Sequence, residues 1–117
     1  MAEQLNKLVA EVTPDNLINS AHTTTACHVT VAAGQGELKR GTALGIKDDK
    51  AVILGTDGAT ASYILAKDVD ATAEAVAVAY REGHFNADAL IVKSGYTMTA
   101  KDKDDFRTRN IILSESL

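Results

Sequence analysis

Three histidines and a single cysteine are the most reactive side chains in this sequence of 117 residues, and His22 and His28 flank Cys27. A thiol near an imidazole suggests an activated nucleophile or a metal site. The spacing argues against both. Adjacent residues of a strand point to opposite faces, so Cys27 and His28 do not meet. A zinc site needs three or four ligands, and there is no second cysteine to supply one. His22, His28 and His84 therefore read as structural residues. Among the acidic groups, Asp68-Val69-Asp70 lacks the glycine and distal glutamate of a calcium loop. Asp102-Lys103-Asp104-Asp105 is interleaved with lysine and starts an amphipathic helix, which makes it a solvated face. Asp48-Asp49 between two lysines is a turn. Gly34-Gln35-Gly36 has neither the third glycine nor the following helix of a dinucleotide site. No serine stands in a Gly-x-Ser-x-Gly elbow. The expectation is a protein that is not an enzyme, with no catalytic residue, no metal and no cofactor.

Charge and composition exclude further classes. Twelve Lys and Arg against sixteen Asp and Glu leave a net charge of −4, which gives no electrostatic reason to bind a phosphate backbone. Single strands are bound by stacking, and only Tyr63, Tyr80, Phe85, Tyr96 and Phe106 are aromatic. Neither nucleic acid nor a membrane is an expected partner, since no apolar run approaches the roughly 18–20 residues that cross a bilayer. The opening MAEQLNKLVAEV carries Glu3 and Glu11 and does not read as a secretory signal. One unpaired cysteine fits folding in a reducing compartment. Hydrophobic residues make up 45% of the chain, so it is built to fold. Nineteen of its residues are alanine, however, and burying alanine removes little apolar area. At about 25 cal/mol per Å2 such a core is thin, and oligomerisation is the usual remedy.

The elements that hold these residues fall into two parts. Residues 1–28 read as an N-terminal arm. Leu5, Leu8, Val9 and Val12 share one face of a possible helix. Thr13-Pro14-Asp15 resembles a helix start, and His22-Thr23-Thr24-Thr25 resists helix. Residues 29–117 read as one mainly β, α+β domain, small and compact. Strands are expected around His28–Val31, Leu38–Ile46, Ala51–Leu54, Ser62–Ala66, Ala75–Tyr80 and Ile111–Leu113, with Asp57-Gly58 as a turn. Gly83 is expected to interrupt the Ala/Val alternation that ends at Tyr80. Asn86 caps a single turn at Ala87–Leu90. Thr99 caps a short C-terminal helix over Ala100–Arg109, with Asp105 and Arg109 as an i, i+4 pair. Asn110 tolerates the left-handed position that ends it.

Several stretches, in order, resemble the phage head decoration proteins, the lambda protein D-like family. They are Lys39-Arg40-Gly41-Thr42-Ala43-Leu44-Gly45, then Asp57-Gly58, then Tyr63 through Ala71, then Ala79-Tyr80-Arg81-Glu82-Gly83-His84-Phe85-Asn86-Ala87-Asp88-Ala89-Leu90. Phe106 through Leu113 closes the likeness, with Asn110 where many relatives have glycine. Together they span residues 26–113. The resemblance implies a β-clip-like domain and a capsid cement protein on the outer surface of the virion, made in the host bacterial cytoplasm. It implies a homotrimer bound to the major capsid protein at three-fold and quasi-three-fold positions of the expanded head, stabilising it against internal DNA pressure. It also implies an arm that orders on the capsid. The candidate contacts there are Val12, Pro14, Leu17 and Ile18 as apolar anchors, with Thr23, Thr24 and Thr25 as an added strand; Leu17 and Ile18 have packing on their own domain as the alternative. The rival reading is a small cellular β-domain that binds a sugar or peptide, against which the scattered aromatics weigh.

Overall fold

Alanine alternates with valine from Ala75 onward, and this run opens the longest strand of the fold. The computed structural model describes residues 17–18 and 24–114. Eight strands dominate: β1 (Thr25–Val31), β2 (Gly36–Leu38), β3 (Ala43–Lys47), β4 (Lys50–Ile53), β5 (Thr60–Leu65), β6 (Val69–Ala71), β7 (Ala75–Asn86) and β8 (Ile111–Ser114). Among the described residues, one helix, α1 (Ala100–Thr108), and one 3-10 turn at Ala87–Ala89 accompany them. The architecture is mainly β, small, with one short C-terminal helix, as the sequence predicts.

The strands form a ring. The order β1-β4-β3-β5-β7 returns to its start because β7 also pairs with β1, antiparallel from Val31↔Ala75 to Thr25↔Glu82. β8 adds to the far half of β7 in parallel, from Gly83↔Ile111 to Asn86↔Ser114. β2 and β6 make a separate two-stranded ribbon. Leu38–Ile46, expected as one strand, is thus two: Gly41 at φ 94 turns the chain, and the Arg40 N–H donates to Asp68 Oδ1 at 2.7 Å.

Alternation along each strand divides the apolar residues between two cores. Val31, Leu44, Ala51, Leu65, Ala77 and Ala79 come from all five ring strands and pack together inside it, joined by Leu38 and Ala71 of the ribbon at one end. Their neighbours in the chain face outward. Ala43, Leu54, Ala61, Ile64 and Phe85 pack there beneath Phe106 of α1 and Ile111 of β8. Every buried side-chain polar atom among the described residues has a partner, which matters in a core with so little apolar area to spare.

The local signals of the sequence are placed as follows. Asn86 Oδ1 accepts the Asp88 N–H and so caps the 3-10 turn. Thr99 caps α1, and Asn110 takes φ 67 just beyond its end. The expected Asp105–Arg109 pair does not form. Asp105 instead meets Lys101 at 2.9 Å, Asp104 meets Arg107 at 2.9 Å, and Arg109 turns onto the Tyr63 ring with its Cζ 5.8 Å from the centroid. At the helix C-terminus, a neighbouring aromatic face draws the guanidinium away from its own helix.

Candidate interaction surface

The root of the arm is set by a glycine. Gly83 has φ 147, and a Cβ there would lie 3.1 Å from the Phe85 ring and 3.2 Å from Thr24 Cγ2. A glycine in this conformation bends a strand without ending it. β7 therefore continues past the expected interruption to Asn86 and changes neighbours, with β8 along one edge and the arm root along the other. Ile18 stands opposite Phe85 in an antiparallel bridge, and the Leu17 carbonyl accepts the Asn86 N–H at 2.8 Å. β1 starts at Thr25, inside the segment the sequence assigns to the arm, because the β-prone TACHVTV run pairs along β7.

The predicted contact residues separate in this geometry. Leu17 is 1% exposed and belongs to the outer core with Phe85, Phe106 and Ile111. Ile18 is 38% exposed. Thr24 is half-buried beside Gly83. Thr25 Oγ1 donates to Glu82 Oε1 at 2.7 Å, where the β1–β7 register shifts. Val12, Pro14 and Thr23 lie outside the described residues, as do Leu5, Leu8, Val9 and His22. The structure thus brings Leu17, Ile18, Thr24 and Thr25 together along the far half of β7.

Other surface features were not singled out in the sequence. Ile91, 42% exposed, follows the 3-10 turn, and its N–H donates to the Gly41 carbonyl at 3.0 Å. Gly41 itself lies against Leu17, since its missing Cβ would sit 3.6 Å from Leu17 Cδ1. Ile18 and Ile91 therefore flank one buried anchor. Val76 is 66% exposed on the outer face of β7, opposite Thr30. Period-two alternation sorts the start of β7 into a valine face and an alanine face, both apolar, and only the tertiary pairing shows which of them meets water. β1 meets β4 at Val31↔Ala51 alone, so between Thr25 and Thr30 its outer edge has no strand beside it among the described residues.

Tyr63, Arg81, Glu82, Arg109 and Asn110 line a cavity of about 390 Å3. Arg40, by contrast, is engaged: its guanidinium donates to the Ala66 carbonyl at 3.0 Å and to the Tyr80 hydroxyl at 2.5 Å. The acidic groups considered for cations are used structurally. Asp68 accepts the Arg40 N–H and lies 3.7 Å from Lys39. Asp70 accepts the Thr72 hydroxyl at 2.7 Å and its N–H at 3.0 Å, and these two bonds hold the Asp70 carboxyl below its ordinary pKa. Cys27 and His28 sit on opposite faces of β1, facing Ala79 and Val78 respectively.

The comparison with known proteins covers the same region of the chain. The family model described as bacteriophage lambda head decoration protein D matches residues 9–111. That match reaches into the arm, beyond the stretches that begin at residue 26. A search of curated proteins finds no match. A match over most of the chain, on a mainly β domain with one C-terminal helix, places this protein in the family of the bacteriophage lambda head decoration protein D.

Proposed function

We propose that this chain is a non-enzymatic capsid cement protein. It sits as a homotrimer on the outer surface of the expanded phage head, at three-fold and quasi-three-fold positions. There it touches the major capsid protein and holds the shell against internal DNA pressure. The observation that carries this reading is the family match over residues 9–111. The arm supplies the capsid contacts. Its tip, with Val12 and Pro14, continues from the arm root, where Ile18, Thr24 and Thr25 lie along β7 and Leu17 fixes the arm to the body. Thr23 and Thr24 lead directly into β1, so an added strand there would extend an existing one.

Three arms acting together turn modest single contacts into high avidity, because each contact after the first is intramolecular. Binding the expanded shell and not its precursor stabilises the expanded state by mass action. Synthesis in the host cytoplasm suits a chain with a single cysteine.

The test is co-sedimentation of the purified protein with expanded and unexpanded heads of its phage, using the full chain and a chain lacking residues 1–16. The full chain is expected to pellet with expanded heads only. The shortened chain, which keeps Leu17, is expected to fold and to lose most of that binding. Undiminished binding without residues 1–16 would remove the arm from the contact.

A further inference from the structure

Asp57 is the one aspartate or asparagine in the chain that glycine follows. The pair forms the centre of a four-residue turn between β4 and β5, which the Ala59 N–H closes by donating to the Thr56 carbonyl at 3.1 Å. Gly58 takes φ 84 there, as the third residue of a type II turn does. Both residues are exposed. Among the described residues neither the Asp57 carboxylate nor the Gly58 N–H has a hydrogen-bond partner. A Cβ on residue 58 would meet only Lys47 Cε and Cδ, at 3.7 and 4.0 Å, so the space about that nitrogen is open.

Other aspartates are held. Asp68 accepts the Arg40 N–H, Asp70 accepts both donors of Thr72, and Asp102 accepts the Thr99 N–H and the Tyr96 hydroxyl. Asp48 and Asp49 are exposed in the β3–β4 turn, but the residue after each carries a side chain that crowds its amide.

We propose that Asp57 and Gly58 are a site of spontaneous backbone isomerisation through a cyclic imide. Rotation of the unheld Asp57 side chain brings its carboxyl carbon to the Gly58 nitrogen. The nitrogen gives up its proton and bonds to Cγ, and the Cγ hydroxyl leaves with that proton as water. Water then opens the five-membered ring at either carbonyl. Attack at Cγ restores aspartate, and attack at the main-chain carbonyl leaves isoaspartate, with the backbone running through Cβ and Cγ. No oxidant or cofactor enters. The product lengthens the main chain by one methylene just before Ala59, where there is no slack: a Cβ on Gly45 of β3 would be 2.8 Å from Ala59 Cβ. In the proposed function a chain on a finished head is not replaced by new synthesis, so the isomer accumulates with the age of the particle.

Water carrying heavy oxygen tests it, because ring opening leaves one oxygen of the solvent in the chain. The native protein is held in that water at neutral pH for several weeks, with circular dichroism confirming that it stays folded, and is digested with trypsin in ordinary water. Residues 51–67 leave as one peptide in which Asp57 is the only acid. That peptide is expected to gain one heavy oxygen and a second chromatographic form of unchanged residue composition, faster than peptides carrying any other described aspartate. Asp57→Glu, whose ring would need six members and closes far more slowly, is expected to gain neither. A native chain that stays unlabelled while a synthetic 51–67 peptide converts overturns the proposal, since the turn then protects the pair. Equal labelling of all aspartate-bearing peptides, or undiminished labelling in Asp57→Glu, overturns it as well.

Discussion

Asp102 is 6% exposed at the start of α1, and its position is fixed by three donors and acceptors. Its N–H donates to Thr99 Oγ1 at 3.1 Å, and its Oδ2 accepts the Thr99 N–H at 3.0 Å, which closes a reciprocal cap. The Tyr96 hydroxyl donates to the same oxygen. That bond, and burial after it, raises the Tyr96 pKa above its ordinary 10.0. The neutral phenol is the form the fold favours, so the stabilisation is complete below about pH 10 and is lost as pH rises through the raised value. An ultraviolet titration should show one phenol ionising later than a free tyrosine, and Tyr96→Phe should remove that step. The same variant leaves Asp102 one donor short and should cost about 1 kcal/mol in urea unfolding at neutral pH. A late step that survives in Tyr96→Phe would mean that the bond does not control this ionisation.

The alanine excess that makes the core look thin has a place at the scale of the elements. A ring of five strands encloses little space, and β7 lines it with Ala77 and Ala79, opposite Val29 and Cys27 of β1. Small side chains there are a requirement of the geometry. Ala79→Leu should destabilise the protein by roughly 1–3 kcal/mol through overpacking. Val76→Ala, on the outer face of the same strand, should change stability by no more than about 0.5 kcal/mol. Equal midpoints for the two in urea would refute the assignment of inside and outside. Outside the β2–β6 ribbon the strands were legible because alternation is local, as were the Thr99 cap, the Asn86 cap and left-handed Asn110. Ring closure was not, since β1 meets β7 and β4 across long stretches of sequence. Gly41 reads as the interior of a strand and Gly83 as an interruption, yet Gly41 separates β2 from β3 while Gly83 keeps β7 continuous around Phe85. Arg109 had a partner at helical spacing, and a tertiary neighbour, Tyr63, won it. The cavity at Tyr63, Arg81 and Arg109 joins β5, β7 and the turn after α1, which no local pattern announces.

For the whole molecule, the division between arm and body runs through the arm. An apolar residue ahead of the first strand has the same sequence signature whether it serves the capsid or its own domain, and burial separates the two cases at adjacent positions. Leu17 closes the outer core against Phe85, Phe106 and Ile111, while Ile18 reaches solvent. The root of the arm is therefore part of the folded unit, and in the proposed function the residues before it serve the shell. Stability and capsid binding should then respond to different lesions. Leu17→Ala in the full chain should destabilise the body by roughly 2–5 kcal/mol, as a buried leucine does when it leaves a cavity. Ile18→Ala should leave the melting temperature nearly unchanged and weaken binding to expanded heads, since its side chain is partly free of the core. Removal of residues 1–16 should match Ile18→Ala in both respects, with the larger loss of binding. Removal of residues 1–23 should match Leu17→Ala in stability. Calorimetry on the four variants decides the matter: if Leu17→Ala melts with the wild type, the outer core closes without the arm, and residues up to 23 form one segment devoted to the capsid.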